Sequence, residues 1–182
     1  MAGLLYPRNH EYHSALKSLK FYFVRHPFEK LVSCYRDKFE IGLKSDYIFQ
    51  NFNPRIIQNR YERPTFQQFV QYLIRTPSEK YNDHWLPYWM HCQLCTQKYD
   101  VIGHMDTITE DVEYIFKETG LDHYLTDNHF DFPWRNNKHK TTDLEELVKK
   151  YFSTITKDEK LKLYDIYRPD FLMFGYDAEK YF

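Results

Sequence analysis

The sequence predicts an α/β domain with a small parallel sheet and helices on its faces. Two short apolar runs, residues 20–25 (Lys-Phe-Tyr-Phe-Val-Arg) and residues 99–105 (Tyr-Asp-Val-Ile-Gly-His-Met), read as strands. A helix signal follows each of them closely, the alternation expected of an α/β layer. Two further helix starts, Thr142-x-x-Glu145 and Thr156-x-x-Glu159, fit the capping box, in which a hydroxyl and a carboxylate satisfy each other's free backbone N–H.

The elements follow in order. Residues 1–19 are polar and stand apart from the domain proper, residues 20–182. Pro27 suits the first position of a helix, where its missing N–H costs nothing. Phe28, Leu31, Val32, Tyr35 and Phe39 then recur at helical spacing as one apolar stripe. Residues 45–63 are polar and read as a loop or short irregular helix. Residues 65–75 form a second amphipathic helix, with Phe66, Phe69, Val70 and Leu73 on one side. A long aromatic connection over residues 76–95 leads to the second strand. The helix after it, about residues 110–119, is ended by Gly120. Residues 122–140 look irregular, and the chain closes with Phe171-Leu-Met-Phe-Gly-Tyr176.

Composition narrows the function. The 182 residues are 42% apolar, enough to bury a core without staples. The formal net charge is −1, which argues against nucleic-acid binding through bulk electrostatics, so any anion must be held by a local basic cluster. Tyr and Phe number 17 and 15, and tyrosines with an apolar body and a polar tip suit a groove for sugars; a Tyr-rich core and shell is the plainer reading. No apolar run approaches the roughly 20 residues of a membrane span, the first residues carry no signal-peptide core, and no Asn-x-Ser/Thr acceptor occurs. The three cysteines, Cys34, Cys92 and Cys95, are too few for a disulfide scaffold. Cys92-x-x-Cys95 offers two ligands where structural zinc wants four, so a local disulfide or a pair of buried thiols is the better reading.

Arg25 is the leading candidate for chemistry. It stands at the end of the first strand, where open α/β sheets bind ligands, and its guanidinium can fork two hydrogen bonds to a phosphate. Ser33 lies about 140° around the helix from the centre of the apolar stripe, at about 100° per residue, so its hydroxyl is free for a ligand. The helix start also offers N–H groups to an anion. Alone, an Arg at a strand end and a Ser on a helix surface are ordinary features.

The wider pattern resembles a known family. Residues 23–39, Phe-Val-Arg-His-Pro-Phe-Glu-Lys-Leu-Val-Ser-Cys-Tyr-Arg-Asp-Lys-Phe, are similar to the 3′-phosphate motif of Golgi carbohydrate sulfotransferases, the chondroitin 4-O-sulfotransferase group in particular. Three further blocks match in order: Asn82-Asp-His-Trp85; Cys92 with Leu94-Cys95 through Gly103; and Lys140-Thr-Thr-Asp143 through Tyr164 to Asp170-Phe-Leu-Met-Phe174. The resemblance implies a P-loop-NTPase-like sulfotransferase domain using 3′-phosphoadenylyl sulfate (PAPS) as donor, with no metal. It implies that Arg25 and Ser33 hold the donor's 3′-phosphate, with Lys140 and Thr141 close to the donor; a capped helix start explains that last stretch equally well. His84 is the candidate general base for the acceptor hydroxyl, against a plainer role packing on Trp85. Arg55, Arg60 and Arg63, with Lys38 and Lys44, are candidates to line a groove for a glycan, or form a solvated basic loop. The acceptor implied is an acidic or neutral glycan, a chondroitin/dermatan-type glycosaminoglycan or another glycoprotein glycan. The family places such enzymes in the Golgi lumen on a membrane anchor.

The match departs at His26, a position that varies in the family, and at Leu94, where a Pro is frequent. A loop of the Pro-Lys-x-Gly-Cys-Thr kind, which holds the 5′-phosphosulfate in the family, is not found among these residues, and neither is the anchor. The expectation is therefore an N-terminally incomplete domain, the C-terminal portion of a carbohydrate sulfotransferase. Three readings compete: a sulfotransferase, an impaired relative that binds the nucleotide or glycan without catalysis, and an unrelated α/β interaction module.

Overall fold

The computed structural model describes residues 19–59, 61–91, 94, 96–122 and 141–182, with the backbone alone for residues 141–143. The chain divides into two compact units, Met1–Phe23 with Tyr99–Asn136, and Val24–Lys98 with Asn137–Phe182.

The first unit carries the sheet, two parallel strands, β1 (Phe21–Val24) and β2 (Val101–His104). Both strands are shorter than the apolar runs that predict them. Their entry is fixed by Lys20, whose N–H donates to Asp100 Oδ2 at 2.9 Å and whose carbonyl accepts from the Asp100 N–H at 2.7 Å. Gly103 lets the strands approach, because a Cβ there would come within 2.5 Å of the Phe23 ring. Helix α4 (Ile108–Glu118) follows β2, and Asp111 ties the junction by accepting from the His104 N–H and the Thr107 hydroxyl, both at 2.7 Å. Gly120, at φ +69°, ends the helix as expected, with Gly120 N–H on the Lys117 carbonyl and Leu121 N–H on that of Phe116, a full Schellman closure.

The second unit is helical. Helix α1 (Pro27–Tyr35) runs into a π-helical turn (Arg36–Glu40), and the predicted stripe of Phe28, Leu31, Val32, Tyr35 and Phe39 is buried, none of it more than 5% exposed. Helix α3 (Phe66–Arg75) buries Phe66, Phe69, Val70 and Leu73, and opens on a capping box of Thr65 and Gln68. Trp85 lies between these layers, fully buried, with the rings of Phe39, Phe52 and Phe69 around it and its carbonyl accepting from the Tyr167 hydroxyl. Burying one such ring is worth about 1.5–3 kcal/mol, so the cluster is the main cohesive element of this unit.

Two expectations are corrected. The stretch read as a loop or irregular helix holds a regular helix, α2 (Tyr47–Ile57), opened by the Asp46 carboxylate on the Ile48 N–H at 2.7 Å. It buries Ile48, Phe49, Phe52 and Ile56. Asn53 and Pro54 hide that stripe in the sequence. Buried Asn53 donates to the Asn59 and Glu62 carbonyls that follow the helix, and Pro54 deprives only Gln50, which is exposed, of a bond. The second correction concerns Thr142-x-x-Glu145. Helix α5 (Thr141–Phe152) already includes Thr142, so Thr142 is not its N-cap, and Glu145 pairs with Lys149 at 2.6 Å and Lys180 at 3.2 Å.

The other box forms as read. At the start of α6 (Lys157–Phe174), Glu159 Oε2 accepts from the Thr156 N–H at 2.8 Å, and the Thr156 hydroxyl accepts from the Glu159 N–H at 3.2 Å. Gln71 and Gln67 of α3 donate to the same carboxylate at 2.8 and 3.2 Å, so this cap also joins two helices. Thr156→Ala is expected to cost about 1 kcal/mol in urea denaturation, with Thr156→Asn restoring most of it. An unchanged midpoint in the alanine variant would show that the box contributes nothing.

Candidate functional site

The strand-to-helix corner of the second unit brings two of the predicted residues together. Arg25 follows β1, Ser33 lies in the second turn of α1, and Arg25 Nη1 donates to Ser33 Oγ at 3.2 Å. Both side chains are half-buried. A guanidinium has five N–H donors and the serine hydroxyl keeps its own proton to donate, so the pair presents several donors toward one anion.

The backbone under this pair is held by residues that sequence reading did not single out. The Arg25 N–H donates to the Tyr88 hydroxyl at 3.2 Å. Tyr88 is set by Asp170 of α6, fully buried, whose oxygens accept from the Tyr88 N–H at 2.7 Å and the Trp89 N–H at 2.9 Å. Burial pushes the Asp170 carboxyl above its usual range, and the two N–H groups and the Lys30 charge oppose that rise. The Lys30 ammonium sits 3.8 Å over the Tyr88 ring and donates to the Leu86 carbonyl at 2.6 Å. The sequence offered one signal: Asp170 opens the final stretch, Asp170-Phe-Leu-Met-Phe174, of the last family-like block.

Part of the helix start is already engaged. His26 is its N-cap, with Nδ1 accepting from the Phe28 N–H at 3.2 Å. Pro27 has no N–H, and the Lys30 N–H goes to the His26 carbonyl at 3.0 Å. Cys34 is buried beside Ser33, and burial pushes its thiol up to about 12, leaving it unionised and unreactive near neutral pH.

His84 is exposed in the turn before Trp85. Asn82 Oδ1 accepts from the His84 N–H at 3.1 Å and lies 2.5 Å from Nδ1. With that oxygen accepting, Nδ1 carries the proton and Nε2 keeps its lone pair. Partial burial holds the imidazole below its ordinary value, helped by the Lys38 charge, while Asp37, Asp46 and Asp83 act in the opposite direction.

The basic residues divide. The Arg63 fork donates to the Phe39 and Gly42 carbonyls at 2.7 and 2.8 Å, with its guanidinium over the Phe49 ring. Lys38 pairs with Asp37 at 2.9 Å, and Lys44 donates to the Tyr61 carbonyl at 2.5 Å. Arg55 is exposed, 4.9 Å from the Phe52 ring. Arg60, Cys92, Cys95, Lys140 and the Thr141 side chain lie outside the described residues. Among the described residues there is no cluster of three metal-ligating side chains, and no helix is long and apolar enough to cross a membrane.

The pattern of the Sulfotransferase family matches residues 4–177. Carbohydrate sulfotransferase 11 of Rattus norvegicus is 33% identical over 186 residues, covering 94% of this chain and 51% of its own length. Carbohydrate sulfotransferase 10 of Xenopus laevis is 31% identical over 181 residues, covering 90% and 49%, and carbohydrate sulfotransferase 12 of the same organism 30% over 177 residues, covering 88% and 40%. The chain thus spans about half the length of these relatives, or less. No solved structure matches it. A family pattern running through β1, α1 and α6, together with relatives about one-third identical over most of the chain, establishes that the chain belongs to the sulfotransferase family.

Proposed function

We propose that this chain is the 3′-phosphate-binding part of a PAPS-dependent carbohydrate sulfotransferase, with Arg25 and Ser33 as the grip. The observation that supports it most is the 3.2 Å contact of Arg25 Nη1 with Ser33 Oγ, two donors side by side at a strand end. A dianionic phosphate between them would take charge-assisted hydrogen bonds, about twice as strong as neutral ones. Lys140 and Thr141 would add contacts to the donor. On this reading the domain is P-loop-NTPase-like, and the whole protein acts on a chondroitin/dermatan-type or other glycoprotein glycan in the Golgi lumen.

The reaction is an in-line sulfuryl transfer. A sugar hydroxyl oxygen bonds to sulfur, the bond from sulfur to the phosphate oxygen breaks, and adenosine 3′,5′-bisphosphate leaves with the electron pair. The hydroxyl proton passes to a base, and His84 Nε2 fits that role because Asn82 occupies Nδ1 and the imidazole is held neutral. No metal takes part. Arg55 and Arg60 are the contacts offered to an acidic acceptor. Arg63 would shape that surface through the Phe39–Gly42 backbone it holds, and not by touching the glycan.

A second reading keeps the nucleotide or glycan grip without transfer. The two readings differ in whether a Pro-Lys-x-Gly-Cys-Thr loop for the 5′-phosphosulfate completes the site, and these 182 residues hold no such loop. Losing one preorganised donor to the shifting charge typically costs about 10²–10³ in rate. Sulfur-35 transfer to desulfated chondroitin separates the two. No incorporation is expected from these residues alone, and incorporation should appear once a segment with that loop is joined. Continued silence favours the second reading.

Adenosine 3′,5′-bisphosphate is expected to raise the melting temperature, and Arg25→Ala to weaken that binding at least about tenfold, the loss of hydrogen bonds to a charged group. An equal shift in the alanine variant would remove Arg25 from the site. His84 should titrate below 6.5 by NMR, and Lys38→Met should raise its midpoint. The neutral, base-competent form therefore persists to lower pH than for a free histidine, and transfer by the loop-joined protein should decline only below that midpoint.

A further inference from the structure

We propose that residues 176–182 form a strap that sets the Arg25–Ser33 grip through His26, making His26 a positioning residue for the nucleotide phosphate. The strap touches the backbone on both sides of Arg25. The Tyr176 hydroxyl donates to the Val24 carbonyl at 3.4 Å, and His26 Nε2 lies 2.9 Å from the Asp177 carbonyl. A carbonyl only accepts, so Nε2 carries the proton and Nδ1 is the acceptor, which is the role it fills toward the Phe28 N–H. One neutral ring thus links the strap to the first turn of α1, and its tautomer is fixed from both ends.

The ring cannot turn. Phe28, Phe171, Tyr176 and Tyr181 surround it, with centroids 5.8, 5.2, 5.2 and 5.1 Å away, and His26 is 3% exposed. Further along, the Tyr181 hydroxyl donates to Glu29 Oε1 at 3.2 Å, while the Tyr181 carbonyl accepts from Lys160 of α6 at 2.8 Å. Lys180 pairs with Glu145 of α5. The strap is therefore anchored on α5 and α6 and grips Val24, His26 and Glu29, the residues that set where the Arg25 guanidinium and the Ser33 turn sit. Ala178 and Tyr181 are 7% and 2% exposed, yet they lie past residue 177, where the family pattern ends.

The proposal rests on Arg25 and Ser33 holding a 3′-phosphate, and the test separates the two claims. Calorimetric titration of the 182-residue chain would compare adenosine 3′,5′-bisphosphate with adenosine 5′-phosphate. The ratio of their affinities isolates the 3′-phosphate grip. His26→Asn keeps a capping oxygen for α1 but does not reach Asp177. Tyr176→Phe removes only the hydroxyl on Val24, and serves if the first variant fails to fold. The ratio is expected to fall about tenfold in His26→Asn and about threefold in Tyr176→Phe, with monophosphate affinity and circular dichroism unchanged. A large ratio in the unaltered chain that neither variant lowers overturns the strap while sparing the grip. Equal weakening of both nucleotides also overturns it, since that is what a merely structural role does. A ratio of one in the unaltered chain refutes the grip itself.

Discussion

With a net charge of −1, this chain draws no phosphate from a distance, so on the proposed reading anion binding depends on where one guanidinium is held. Arg25 is held through its backbone. Its N–H rests on the Tyr88 hydroxyl, and Tyr88 rests on Asp170, a carboxylate fully buried in α6. Burying a carboxylate is tolerable only when its lone pairs are answered. Two backbone N–H groups and the nearby Lys30 charge answer them here, at some cost to the acid's ionisation. The order of dependence runs from buried carboxylate to aromatic turn to strand end, and the reactive geometry inherits its rigidity from the core of the second unit.

The helices that pack by a clean apolar period were legible in the sequence. The α1 stripe and the α3 face were read residue by residue, because nothing polar interrupts them. Helix α2 was not, because Asn53 and Pro54 sit in its second half, and a buried asparagine serving two carbonyls looks like a loop residue until its partners are known. The Thr142 box misplaced a boundary, because the helix already runs through Thr141 and Thr142, and a Thr-x-x-Glu spacing one turn inside a helix looks the same as one at its start.

The candidate site shows the same division. Arg25 and Ser33 are eight residues apart on consecutive elements, so sequence spacing alone brings them close. Asp170 and Tyr88 are 82 residues apart, and no local rule joins them. The basic residues between 38 and 63 were indistinguishable as letters, whereas their geometry differs. The Arg63 fork closes on the Phe39 and Gly42 carbonyls, Lys38 and Lys44 pair with Asp37 and the Tyr61 carbonyl, and Arg55 lies exposed over the Phe52 ring with its side chain also bonded to the Tyr72 hydroxyl. A guanidinium that stabilises a turn and one that meets a ligand use identical chemistry, so only the partners assign the role.

His26 ties these threads together. A bare helix start would offer its N–H groups and dipole to an anion. Here a proline removes one N–H and an imidazole takes another, so α1 has fewer to offer. What it gains is a mechanical link, since a histidine cap carries a second nitrogen on the far side of its ring, beyond the reach of an asparagine or serine cap. That second nitrogen reaches Asp177, and the first turn of α1 becomes answerable to a segment 151 residues away. The helix start thus holds a joint, and on the proposed reading recognition passes to a guanidinium and a hydroxyl, groups whose directionality selects the shape of an oxyanion as well as its charge.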